Sequence, residues 1–228
     1  MHATSPARLA LAAGAGYLAG TIPSATLAAK AAGRGDIRTL GTGNPGAANA
    51  IKQLGAKWGY AVLAGDVGKG IAASVAGRAI AGGVGTHVAG TAAVAGHCYP
   101  VWTGFKGGKG VAASVGQCFV GFPAYFFPDL ALAGLTGALP WWKQRAHTAT
   151  VLSTVAWTGA ATLWWRKGWS NLWGPAPTVA LPLSAAASSA IILERFHAAK
   201  GQVAASLAAE AAALAGPIPD RSPEGSAA

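Results

Sequence analysis

Four glycines and two lysines fall within seven residues of this chain, Gly104-Phe105-Lys106-Gly107-Gly108-Lys109-Gly110, between two strongly apolar runs. Glycine lets a backbone turn its N–H groups toward one point because no Cβ stands in the way. Successive inward N–H groups make an anion-binding hollow, and nearby ammonium groups deepen it. A second such stretch is Gly41-Thr42-Gly43-Asn44-Pro45-Gly46. Both are expected to hold phosphate, on one face, at the water-facing edge of a membrane.

Neither stretch carries a nucleotide signature. Gly41, Gly43 and Gly46 match G-x-G-x-x-G, and Asp66 lies about 20 residues on, where a ribose-binding acid would stand. No buried strand precedes Gly41, however; Asp36-Ile37-Arg38-Thr39-Leu40 does. The 104–110 loop is no Walker A, since Gly110 stands where Ser or Thr would hold magnesium. There is no G-x-S-x-G elbow and no Cys/His cluster with zinc spacing. No histidine has an Asp after four intervening residues. No metal site is expected, and Cys98 and Cys118 read as small buried hydrophobes. His97 is a candidate base, or a structural hydrogen-bonding group at a helix end.

The elements that must position these loops are apolar. Of the 228 residues, 52% are hydrophobic and only 11% charged, against about a quarter charged in a soluble domain. That shortage points to lipid. The formal charge is +10, but the basic residues fall in short clusters between apolar runs. A nucleic-acid binder would gather them into a patch with interleaved aromatics; juxtamembrane loops scatter them this way.

Seven apolar runs are long enough to suggest crossings. They are 9–29, 58–80, 86–103, two helices within 111–142 divided at Pro128-Asp129, 148–165 and 175–193. The expected architecture is all-α: a polytopic integral membrane protein of about seven transmembrane helices with Gly-rich cytoplasmic loops. If the chain starts outside, the inside segments hold 12 of the 17 Lys and Arg, and both Gly-rich loops share that face. Trp102, Trp141, Trp142, Trp164, Trp165 and Trp173 fall near predicted span ends, as an interfacial belt would. Asp66 and Lys69, three apart on a helix, form an ionisable pair inside a span, either functional or a helix-orienting ion pair. Residues 1–197 form the expected membrane domain. Residues 198–228 form an Ala-rich helix and a disordered cytoplasmic tail.

Several motifs then occur in a specific order: Gly20-Thr21-Ile22-Pro23, Asp36-Ile37-Arg38, Gly41 through Asn49, Leu63-Ala64-Gly65-Asp66-Val67-Gly68-Lys69-Gly70, and Gly96-His97-Cys98-Tyr99-Pro100 running into the 104–110 loop and Val111-Ala112. This order resembles the bacterial PlsY family, the acyl-phosphate:glycerol-3-phosphate acyltransferases, closely over residues 9–125. The resemblance implies an inner-membrane enzyme of seven helices. Its partners would be acyl phosphate, glycerol 3-phosphate and the lipid bilayer, and its products lysophosphatidic acid and inorganic phosphate. No cofactor, metal, acyl-CoA or acyl carrier protein is implied.

The family's first motif maps onto Thr42, Gly43, Asn44 and Lys52, its second onto Lys106, Gly107, Gly108 and Lys109. The family usually has Ser for Thr42, Thr for Ala48, and Arg for Lys52, whose ammonium lacks the bidentate fork. Its third motif, of an Arg-His-x-x-Asn type, is replaced by Glu194-Arg195-Phe196-His197-Ala198-Ala199-Lys200. Thr42, Lys52, Lys106 and His97 are the expected catalytic residues. Arg38, Gly43, Asn44, Gly46, Gly107, Gly108 and Lys109 are expected to hold the two substrate phosphates, in an assignment that could be swapped. Two other readings are a repurposed lipid- and phosphate-binding paralogue, suggested by the altered third motif, and a transporter using Asp66 and Lys69.

Overall fold

The computed structural model describes residues 5–138 and 145–215, and every regular element among them is helical. Helix α1 (Pro6–Gly20) starts where the Ser5 hydroxyl accepts the Arg8 N–H at 3.3 Å and proline takes the first position, both favourable for a helix start. The expected 9–29 crossing is divided. Pro23 disfavours the helical conformation in the residue before it, so Thr21-Ile22-Pro23 breaks the chain and α2 (Ser24–Ala31) follows separately. After a 3₁₀ turn at Ile37–Thr39, the first Gly-rich loop leads into α3 (Ala47–Leu54).

The next two expected runs form one hydrogen-bonded element, α4 (Ala56–Cys98), with a sharp reversal inside it. Ala81 is non-helical (φ −138°, ψ 23°) and Gly82 takes φ 64°, ψ −153°. The arms on either side fold back on each other: a Cβ on Gly77 would lie 2.2 Å from the Gly85 carbonyl oxygen, and one on Gly90 2.7 Å from the Ser74 hydroxyl. The second arm stops at Cys98, short of the expected Thr103, because Pro100 cannot continue it. A 3₁₀ turn at Val101–Thr103 then opens the second Gly-rich loop.

Helices α5 (Val111–Gly121) and α6 (Pro123–Ala138) meet at Phe122, which is non-helical (φ −142°, ψ 59°). The break expected at Pro128-Asp129 is therefore five residues early, again before a proline, and Pro128 sits inside α6. Membrane helices tolerate such an internal proline where neighbouring groups satisfy the freed carbonyl. Helix α7 is Arg145–Lys167 and α8 is Ala180–Ala215. The last expected run begins later than residue 175 because Pro175 and Pro177 precede it. Helix α8 continues unbroken through residue 198, where the tail was expected to begin. Trp141, Trp142 and Lys143, and the tail from 216, lie outside the described residues. Counting the arms of α4 separately, seven longer helical segments are described.

The interior mixes large apolar side chains such as Phe122, Leu181 and Ile192 with many small and polar ones. Among the latter, Ala12, Ala89, Ala93, Ala113, Ser74, Thr86, Gln117 and Ser188 are at most 2% exposed. Leu11, Leu18, Leu135, Val155 and Leu183 are each more than half exposed on the outer faces. Small residues let backbones approach closely, as membrane helices require. A Cβ on Gly20 would meet the Ala93 carbonyl oxygen at 2.1 Å, and one on Gly96 the Tyr17 carbonyl oxygen at 2.2 Å, so α1 lies backbone to backbone along the second arm of α4. Taken singly, no described helix is long and apolar enough to cross a membrane. Helices α1, α5 and α6, at 15, 11 and 16 residues, fall short in length.

Candidate active site

Two cavities meet at one pair of buried side chains. The first is a small chamber walled by Gly20 to Thr26, Pro45, Thr103, Gly107 and Gly108, with the charged side chains of Arg38, Lys69 and Lys106 at it. The second is a mainly apolar groove of about 490 Å³, running from Asn44, Gly46 and Lys109 between α5, α6, α7 and α8. Asp66 and His97 line both.

Those two residues come from the two arms of α4, brought together by the reversal at Ala81-Gly82. Asp66 is 2% exposed, Lys69 6% and His97 7%. Lys69 Nζ lies 2.9 Å from Asp66 Oδ1 and donates to the Ile22 carbonyl at 3.1 Å. His97 Nδ1 stands 3.4 Å from the same carboxylate oxygen. The Thr21-Ile22-Pro23 break thus has a use: it turns a backbone carbonyl onto a buried ammonium. The Trp102 indole donates to the Thr21 hydroxyl at 3.0 Å, fixing the start of the second Gly-rich loop against the same break. A buried charge of this kind is costly unless paired and hydrogen-bonded, and here it is both.

The loop amides do something other than expected. The Gly107 N–H donates to the Cys98 carbonyl (3.0 Å) and the Gly108 N–H to the His97 carbonyl (3.1 Å). They close the end of α4 rather than pointing into a hollow. Their glycines are needed for proximity: a Cβ on Gly107 would meet the His97 carbonyl oxygen at 2.1 Å, and one on Gly108 His97 Nε2 at 2.1 Å. From the other side Arg195, 8% exposed, donates from Nη2 to the Gly107 carbonyl (2.8 Å) and from Nε to the Gly108 carbonyl (3.2 Å). Its guanidinium lies over the Tyr99 ring, and the Tyr99 hydroxyl donates to Glu194. The replaced third motif therefore still grips the second.

The first loop is held from inside as well. Asn49, 3% exposed, accepts the Thr42 N–H at 3.1 Å and donates to the Leu40 carbonyl at 2.9 Å. The Gly43 N–H returns to the Leu40 carbonyl and the Gly46 N–H to the Asn44 carbonyl. Arg38 forks onto Asp36, with Nη2 2.7 Å from Oδ2 and Nε on both oxygens. That hydrogen bonding holds the Asp36 carboxyl below the usual carboxylate range and sets the guanidinium at the chamber wall.

The expected site residues are thereby sorted. Arg38, Lys106, Gly107 and Gly108 gather at the chamber, Asn44, Gly46 and Lys109 at the groove, and His97 at both. Lys109 Nζ lies 4.4 Å from the centre of the Phe196 ring. Thr42, Gly43 and Lys52 line neither cavity; Thr42 and Lys52 are exposed. Asn49 and Arg195 were not singled out from sequence. The signals for Arg195 were its place in the altered third motif and the charged pair, Glu194-Arg195, directly after an apolar run.

The family profile described as glycerol-3-phosphate acyltransferase matches residues 10–206. A glycerol-3-phosphate acyltransferase of Agrobacterium fabrum is 48% identical over 113 residues, half of this chain and 55% of that protein. One of Maricaulis maris is 42% identical over 165 residues, 69% of this chain and 72% of that protein. Among solved structures, PlsY, described as an integral membrane glycerol 3-phosphate acyltransferase, superposes in its glycerol 3-phosphate form with a TM-score of 0.69 at 28% identity. The match covers 87% of this chain and 92% of that one. Its lysophosphatidic acid form gives 0.67 at 26% identity. With motif order, helical fold and site geometry in agreement, the chain belongs to the PlsY-type glycerol-3-phosphate acyltransferase family of membrane enzymes.

Proposed function

We propose that this chain crosses the membrane several times with both Gly-rich loops on the cytoplasmic side. There it moves a fatty acyl group from acyl phosphate to the 1-hydroxyl of glycerol 3-phosphate, releasing lysophosphatidic acid and inorganic phosphate. The observation that carries the reading is the sharing of Asp66 and His97 by a small chamber with charged side chains at it and an apolar groove. The reaction needs one anionic, water-borne acceptor and one lipid donor to meet at a single carbonyl. The solved relatives in glycerol 3-phosphate and lysophosphatidic acid forms support the substrate class.

The geometry suggests a division of labour. Glycerol 3-phosphate belongs to the chamber, with Arg38 and Lys106 on its phosphate. The chamber encloses only about 30 Å³, so the acceptor enters by displacing these two exposed side chains. The acyl chain lies in the groove, and its phosphoryl group sits by Asn44, Lys109 and the start of α5, where a helix N-terminus favours an anion. Thr42 and Lys52 stand at the rim, where they attract and orient the incoming anions. The acceptor hydroxyl attacks the acyl carbonyl, the bond to phosphate breaks, and the hydroxyl proton passes to His97 or to the departing phosphate. Phosphate is already a good leaving group, so alignment and charge stabilisation carry the rate. Asp66 orients His97, and Lys69 pairs with Asp66.

The test uses the full chain in lipid nanodiscs with acyl phosphate and labelled glycerol 3-phosphate. Lysophosphatidate and inorganic phosphate should appear in equal amounts; acyl phosphate binding without either product would leave the repurposed paralogue as the answer. Sidedness is read with Phe105→Cys and a membrane-impermeant thiol reagent, since Cys98 and Cys118 are buried. Labelling in inverted vesicles but not intact cells is expected, and the reverse would overturn the orientation.

A further inference from the structure

The groove holds a polar patch that acyl transfer does not use. Asp129 on α6 and Ser153 and Trp157 on α7 line it among Phe126, Leu130 and Ala133. Ser153 and Trp157 are four apart, so they share a face of α7. Trp157 is only 5% exposed. Asp129 Oδ1, Ser153 Oγ and Trp157 Nε1 are all buried, and none closes a hydrogen bond among the described residues. The neighbouring Thr154 differs: its hydroxyl donates to the Val151 carbonyl within its own helix. Buried polar atoms are nearly always partnered; Ser153 faces the Asp129 carboxylate, but a plain alkyl chain in this groove would leave the Trp157 indole N–H with nothing and the Asp129 carboxylate without a full hydrogen bond.

The types of these groups narrow what would partner them. An indole N–H only donates, an ionised carboxylate only accepts, and a hydroxyl does both. A ligand group serving Trp157 and Asp129 together must accept from one and donate to the other. A hydroxyl does this with a single atom; a ketone or a double bond does not. Phe126, one turn before Asp129, packs on Phe119 of α5 with ring centroids 5.1 Å apart. Phe119 lies well beyond the start of α5 at Val111, so the patch sits within the groove rather than at its phosphate end. We propose that the groove is built for an acyl chain carrying a hydroxyl along its length, held by Trp157 as donor, Asp129 as acceptor and Ser153 beside them. This rests on the acyl-transfer reading above and adds donor selectivity to it.

The experiment compares non-hydrolysable sixteen-carbon acyl phosphonates, plain or hydroxylated near the head, middle or tail, in competition binding to the full chain in nanodiscs. At least one hydroxylated analogue should bind about tenfold more tightly than the plain one, the order that one buried hydrogen bond supplies. Trp157→Phe keeps the ring and removes the donor; it should bring that ratio to about twofold or less. Asp129→Leu should do the same. Equal binding of all analogues to the wild-type chain would overturn the inference, as would a ratio surviving in Trp157→Phe. Turnover separates this from the parent reading. Hydroxyl-selective binding with no lysophosphatidate from any acyl phosphate would sink acyl transfer and keep the subsite. Equal binding with normal turnover would do the opposite.

Discussion

Adding one methyl at Gly108 separates the two roles that the second Gly-rich loop could play. An alanine Cβ there would stand 2.1 Å from His97 Nε2, 2.9 Å from Cε1 and 3.0 Å from Cδ2. Its three nearest atoms all belong to the ring, so the ring yields. An ordinary contact is about 3.5 Å, so the ring must retreat by roughly 1.4 Å. Its Nδ1 already lies 3.4 Å from Asp66 in a site where both residues are buried, so the retreat spoils that geometry. A misplacement of about 1 Å at a reacting group costs on the order of 100-fold in rate, or about 2.7 kcal/mol of barrier. Gly108→Ala should therefore lower kcat about 100-fold and move the KM for glycerol 3-phosphate much less. An amide cradle would give the opposite split, but the Gly108 N–H is committed to the His97 carbonyl. Initial rates of lysophosphatidate release over a range of both substrates decide it. Gly14→Ala, with nothing within 4 Å of the new Cβ, controls for folding and yield. The double variant Gly108→Ala/His97→Ala should be no slower than His97→Ala alone, because the methyl acts through the ring. A raised KM with kcat intact would restore the cradle, and an unchanged enzyme would remove His97 from the chemistry.

Arg195→Met should leave the Gly107 and Gly108 carbonyls without their buried donor and loosen the loop, read as faster hydrogen exchange at 104–110 and a lower kcat/KM; unchanged exchange would show that Arg195 does not hold the loop. Asn49→Ala removes the partner of the Thr42 N–H and the Leu40 carbonyl, a loss of about 1–3 kcal/mol measurable in the thermal midpoint, and a midpoint within a degree of wild type would refute that anchoring. Lys69→Met takes the ammonium from a buried carboxylate, leaving only His97 beside it, and should destabilise the chain by about 3–5 kcal/mol. Asp66→Leu/Lys69→Met should recover much of the stability but not the activity, whereas an active double variant would make the pair purely structural.

Motif order made the family, both loops and the paired Asp66 and Lys69 legible in the sequence, and apolar runs gave the helical membrane architecture. What misled was local. Each misplaced break lies beside a proline that outranked a longer hydropathy signal: Pro23 split the first run and Pro123, not Pro128, divided α5 from α6. Glycine spacing predicted tight backbone but not which way the amides point. Gly107 and Gly108 are close to His97 because α4 ends there, a tertiary fact with no periodicity to announce it. Asn49 and Arg195 lay within quoted motifs, but their roles left no trace for a similar reason: their partners are backbone groups of distant or non-regular segments, which leave no pattern in side-chain type.

The small residues and the chemistry are linked by distance. His97 and Asp66 can share one spot only if the arms of α4 lie backbone to backbone, and Gly77 against Gly85 shows how close that is. The second arm must likewise lie flat on α1, through Gly20 and Gly96, so that Ile22 can offer its carbonyl to Lys69. Larger side chains at these crossings would push the helices apart by more than a hydrogen bond tolerates. The pair at the neck between chamber and groove would then lose its ion partner or its carbonyl. On this view the alanine and glycine content of these helices is what lets a charged, buried neck exist between them. Gly20→Val tests it directly: its side chain would collide with the Ala93 carbonyl at the α1 end of the chamber wall, and activity should fall in step with the loss of the α1–α4 contact. Full activity in a variant whose helices have moved apart would break the link.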